Sequence, residues 1–124
     1  MSSTVKMLLA PFLLILLDIP WLWSTSQGPK GSLAMFEKIQ GVPVRFSLWP
    51  AVIVYIALAY LLLQQTSVKG AFLNGAAVYA VYDFTNLAIL KDYTLQFAVT
   101  DTLWGGTLFA LAHYILNVKW PSPM

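Results

Sequence analysis

The sequence predicts an all-α, polytopic membrane protein: four transmembrane helices in an up-down bundle with a long first loop, forming one domain over residues 1–124. Three observations carry that expectation. The chain is 59% hydrophobic and only 10% charged, whereas soluble domains average about 25% charged residues. It contains four long apolar runs, each close to or above the roughly 17–25 residues that a helix needs to cross hydrocarbon. None of them alternates apolar with polar residues at a period of two. Lipid admits only helices or closed barrels, so helices are expected.

The first run, from about Val5 to Trp23, has Lys6 at its edge and contains Pro11, Asp18 and Pro20. A secretory signal peptide with Ser24–Ser26 as its cleavage region is the alternative reading. Asp18, Pro20, Trp21 and Trp23 stand where small residues would prepare such a site, so a retained helix is expected. The long connection from Ser24 to Phe46 carries Gly28, Pro29, Gly31, Gly41 and Pro43. Between these breakers, Leu33–Gln40 reads either as a short helix on the membrane surface, with Leu33, Phe36 and Ile39 or Gln40 on one side, or as an amphipathic loop.

The second run, Ser47 to Leu63, carries no charge. Ser47 is expected to cap it, with Pro50 in its first turn, where a missing N–H costs little. Lys69-Gly70 divides it from the third run, Ala71 to Leu90. The connection Lys91–Thr94 leads into the fourth, Leu95 to Val118, and is so short that the last two helices must be antiparallel neighbours. Trp21, Trp23, Trp49, Tyr93 and Trp120 fall near segment ends, where interfacial aromatics belong. Four spans place both termini on one side. The loop side carries Lys30, Lys38, Arg45 and Lys91 and the terminal side Lys6, Lys69 and Lys119, a balance that leaves orientation open.

Several chemistries are excluded or disfavoured. The chain has no cysteine, so disulfides and thiolate sites are absent. A net charge of +2 spread over scattered basic residues gives no phosphate-binding stripe, and no nucleic-acid partner is expected. His113, the only histidine, is expected to be satisfied locally, and no metal or cofactor is expected. No Ser/His/acid set shares a depth, and no glycine loop suits a nucleotide.

What remains is acidic. Asp18, Asp83 and Asp101 each interrupt an apolar run, where an ionised Asp costs about 2.5–3.5 kcal/mol at a helix centre. Asp83 and Asp101 both lie nine residues from Asp92. In an antiparallel pair they share a height, about 10–13 Å in from the turn at about 1.5 Å per residue. Asp18 lies on the same half of its own helix. Ala76, Tyr79, Asp83 and Asn86 share one stripe, and Asp101, Trp104, Gly105, Leu108 and Ala112 another. Ala76/Ala80 and Gly106/Ala110 are the small pairs expected to let backbones approach. Asp18-x-x-Trp21 recurs as Asp101-x-x-Trp104. If Asp83 and Asp101 face each other, one should hold a proton near neutral pH. Arg45 is expected either as counter-charge to the acids or as a contact to lipid phosphate. Tyr55 and Tyr60 are expected to face lipid or to pack.

The segment Tyr82-Asp83-Phe84-Thr85-Asn86-Leu87-Ala88-Ile89-Leu90-Lys91, followed by Asp101-Thr102-Leu103-Trp104-Gly105, resembles the signature of the DUF2177 family of small membrane proteins. Leu17-Asp18-x-x-Trp21 and Ile39-Gln40-Gly41-x-Pro43-x-Arg45 are similar to that family's first helix and first loop. The long first loop looks closer to its eukaryotic and large-virus members than to its bacterial ones. The resemblance covers nearly the whole chain and implies a four-helix integral membrane protein of unassigned biochemical role. The association of bacterial relatives with fatty-acid modification points toward lipid chemistry.

Three function classes follow. The leading one is a non-enzymatic membrane protein whose buried polar network (Asp18, Trp21, Arg45, Tyr79, Tyr82, Asp83, Thr85, Asn86, Asp101 and Trp104) holds the bundle and docks a membrane lipid or a protein partner. The second is a small proton- or cation-coupled transporter using the Asp83/Asp101 pair, in a homodimer or larger membrane complex. The third is a subunit of a lipid-modifying membrane enzyme.

Overall fold

The computed structural model describes residues 1–120, and among them there are five helices and no strand. They are α1 (Ser3–Ser26), α2 (Ser32–Gln40), α3 (Leu48–Leu63), α4 (Val68–Ile89) and α5 (Leu95–Asn117). Ser2, Ser67 and Thr94 occupy N-cap positions of α1, α4 and α5, and each side chain accepts a first-turn backbone N–H, as short polar side chains do at helix starts. Ser67 moves the start of α4 back to Val68. Lys69 and Gly70 therefore lie inside its first turn, and the break after α3 falls at 64–67. Ser47 holds the cap position of α3 without making the cap bond expected of it.

Residues 32–40 form a helix rather than a loop. It is ended by Gly41 in the left-handed region (φ 79°), whose N–H bonds to Glu37 O, a position where glycine is favoured. Its inward face is led by Met35, with Phe36 and Ile39 packed beside it, while Leu33 and Gln40 are exposed. The expected face of Leu33, Phe36 and Ile39 is thus rotated by part of a turn.

The α4–α5 hairpin is the most extensive contact, and α5 also touches α1 and α3, so it stands at the centre. α1 packs against α3 as well, and against α2 more lightly. Glycines set the hairpin's separation. A Cβ on Gly75 would strike Gly105 O and the Phe109 side chain. One on Gly105 would strike the Tyr79 ring, and one on Gly106 the Phe72 ring and carbonyl. Bare backbones allow this approach, as in close-packed membrane helices. The contact uses Gly75 where Ala76 and Ala80 were expected, and both alanines are half-buried.

The main core gathers Ala10 and Leu14 of α1, Leu58 and Leu62 of α3, Ala71 of α4, and Leu108, Phe109 and Leu116 of α5. A second, smaller cluster closes the α4–α5 turn, where Met35 of α2 meets Tyr93 and Ala98. Among the described residues, α1 alone is both long enough and apolar enough by composition to cross a membrane. α3 is apolar but has 16 residues, about 24 Å at about 1.5 Å per residue.

Candidate functional site

Pro20 and the residues around it continue α1 far enough to carry both Asp18 and Trp21, one turn apart on the same helix. α5 carries Asp101 and Trp104 at the same spacing. Where the helices cross, the two steps exchange partners. Trp21 Nε1 donates to Asp101 Oδ1 at 3.2 Å, and Trp104 Nε1 donates to Asp18 Oδ1 at 2.7 Å. The indoles stack between the carboxyls, with centroids 5.2 Å apart and planes 9° from parallel. Each aspartate is thus held by the other helix's tryptophan, in a reciprocal clasp.

The remaining partners come from neighbouring elements. Tyr55 of α3 donates its hydroxyl to Asp18 Oδ2 at 2.5 Å. Asp83 of α4 lies against Asp101, and Tyr93 of the α4–α5 turn donates to Asp83 Oδ1 at 2.6 Å. All three acids are buried, with Asp18 5%, Asp83 0% and Asp101 8% exposed. Asp83 Oδ2 has no hydrogen-bond partner. Thr102 Oγ1, beside it, is also buried without one. Burial and the adjoining Asp83 carboxylate push the Tyr93 phenol upward, so it remains a donor well into the alkaline range.

Among the described residues, no lysine or arginine touches these acids. The ion pair is at the surface, Lys38 to Asp92 at 3.7 Å. Arg45 is exposed and makes no contact with an acid, which corrects its assignment as their counter-charge: indole and phenol donors take that place. Tyr82 and Thr85 are exposed and Asn86 half-buried, and none of their side chains bonds to Asp83. Asn86, one turn on from Asp83, instead lies beside the Tyr93 and Tyr82 hydroxyls, at the edge of the cluster. Tyr79 contributes its ring as the lid over Gly105. His113 hydrogen-bonds within its own turn to Asn117, twelve residues from Asp101 and about 18 Å along α5 at about 1.5 Å per residue. No group of three His, Asp or Glu side chains is placed to hold a metal ion among the described residues.

Tyr55 and Tyr93 are the partners that sequence reasoning missed. Tyr55 shares a stripe with Leu58, Ala59 and Leu62, the buried residues of α3, and that spacing was the signal available. Tyr93 read as an interfacial aromatic, yet its ring turns inward beneath α2, edge-on to Phe36 and Phe97. Two clefts of about 340 and 320 Å³ open above this level. They share Lys30, Gly31, Thr94, Gln96 and Phe97, and none of the three acids lines either one.

The family model described as "Predicted membrane protein (DUF2177)" matches residues 4–116. The chain belongs to the DUF2177 family. A search of curated proteins and of solved structures finds no match. The span matched to DUF2177 contains all three acids, both clasp tryptophans, Tyr55 and Tyr93.

Proposed function

We propose that this DUF2177 protein is a multi-pass integral membrane protein in which α1, α3, α4 and α5 each cross the bilayer and α2 lies at one surface. Its polar network acts as an internal fastener, joining α1 and α3 to the α4–α5 hairpin, and the assembled bundle docks membrane lipid or a protein partner. The observation that carries this reading is the reciprocal clasp. Each buried acid is held by a neutral donor rather than a cation, which suits a surrounding of low polarity, where each unmet polar group costs several kcal/mol.

The outer surface supports the same reading. Leu8, Phe12, Leu16, Ile19 and Trp23 run down the outside of α1, and Leu48, Val52, Ile53 and Ile56 down α3, all exposed. A water-soluble monomer rarely exposes so continuous an apolar surface. In α4 and α5 the acids and Gly75, Gly105 and Gly106 turn inward, while Asn74, Thr85, Thr100 and Thr107 are exposed. The asparagine–lysine contact between helix ends, Lys6 Nζ to Asn117 Oδ1 at 2.7 Å, supports termini on a shared side. Packing of α1 against α3 and α5 supports its retention in the bundle.

The cysteine-free sequence makes the test direct. Single substitutions Ser2→Cys, Gln64→Cys and Lys119→Cys should react with a membrane-impermeant maleimide from one side of intact vesicles. Gln27→Cys and Lys91→Cys should react only from the other. Labelling of Gln64→Cys and Lys91→Cys from the same side would remove the four-span arrangement.

A further inference from the structure

We infer that Asp83 and Asp101 form a proton-binding site, holding one proton in common between their carboxyls. Hydrogen-bond accounting carries the inference. Asp18 has a donor on each oxygen, from Trp104 and Tyr55, and needs no proton to be satisfied. Asp101 has Trp21 on Oδ1 and Asp83 has Tyr93 on Oδ1. That leaves Asp83 Oδ2 fully buried with no donor, against a second carboxyl. Two carboxyls in contact bond to one another only when one of them is the acid form, and a proton on Asp101 supplies the missing donor. The Thr102 hydroxyl, buried beside Asp83 and also without a partner, offers a further acceptor in the same space.

The groups facing the pair exclude the other ways of balancing charge. From α1 comes Asp18 with Trp21, from α3 the Tyr55 phenol, from α4 Tyr79 and from the turn Tyr93. None is a base carrying positive charge. A metal ion is a poor occupant, because Asp83 Oδ2, Thr102 Oγ1 and the free Asp101 oxygen are three ligands where hard cations take six or more. None of these atoms lines either of the two clefts, although Trp21, bonded to Asp101, lines one of them. A proton needs no such space. Tyr93, the donor to Asp83, is 5% exposed and packed against Met35 and Phe36 of α2, and Asp101 is itself 8% exposed.

Infrared absorption of the purified full chain in lipid at pH 7 tests the site. The wild type should show a protonated-carboxyl C=O band that shifts down in deuterium oxide. Asp83→Asn and Asp101→Asn should each abolish the band, and Asp18→Asn should retain it. Tyr93→Phe leaves both acids in place and should move the band to a different frequency, which keeps the test usable if an acid variant does not fold. Absence of the band in wild type, its survival in either pair variant, or its indifference to Tyr93→Phe overturns the inference. Sodium or potassium titration should leave the band unchanged, and its loss with either salt would assign the site to a metal cation instead.

Discussion

At the scale of single residues, the three buried acids are held by groups that donate one hydrogen and carry no charge. A lysine or arginine partner would bring a second ion that also had to be desolvated, and such pairs often fail to offset that cost. Indole and phenol bring a large apolar body and one polar hydrogen, so they bury cheaply. Trp104→Phe keeps most of the ring but removes the N–H from Asp18. Leaving a buried acceptor unmet costs about 1–3 kcal/mol, and thermal unfolding in detergent should show that loss. Trp104→Phe and Asp18→Asn together should lose less than the two single losses added, because both act on one bond. Tyr93 gives an alkaline limb. Its phenol titrates higher in the fold than in the unfolded chain, so its contribution is fully present below about pH 10 and fades as pH rises toward the folded value. Tyr93→Phe should flatten stability against pH in that range, and an unchanged slope would remove Tyr93 from the network.

At the scale of helices, what positions the acids is how closely α4 and α5 approach. Gly105→Ala adds one methyl directly against the Tyr79 ring, an overpacking that typically costs about 1–3 kcal/mol. It should also lengthen the Asp83–Asp101 contact, visible as weakened protection of Asp83 in chemical modification. Caps offer a sharper comparison. Ser67→Ala removes a bond to Gly70 N at 2.9 Å and should cost about 1 kcal/mol, whereas Ser47→Ala removes none and should be close to neutral. Equal losses would mean that Ser47 caps α3 after all. Much at this scale was legible in the sequence. The lengths of the apolar runs, the short 91–94 connection and the equal distances of Asp83 and Asp101 from Asp92 are local facts, and they fix a hairpin. The exchange of partners between Asp18-x-x-Trp21 and Asp101-x-x-Trp104 was not legible, since the repeat is visible but its crossing depends on which helices touch. The orientation of Tyr93 was hidden for the same reason: an aromatic at a helix end reads alike whether it faces headgroups or a buried acid.

At the scale of the whole molecule, the bundle is thin. α1 fully buries only Ala10, Leu14 and Asp18, with Leu13 and Leu17 packed against the same core. Alkaline carbonate extraction should leave the protein in the membrane pellet, and its release would argue against an integral association. The clasp also spans the chain almost from end to end: Trp21 finds its acceptor 80 residues later and Asp18 its indole donor 86 residues later. During synthesis Asp18 can meet Tyr55 once α3 is made, but its indole donor arrives only with α5. A nascent chain interrupted before α5 leaves one oxygen of that acid without its donor, and such fragments should be cleared faster than the full chain.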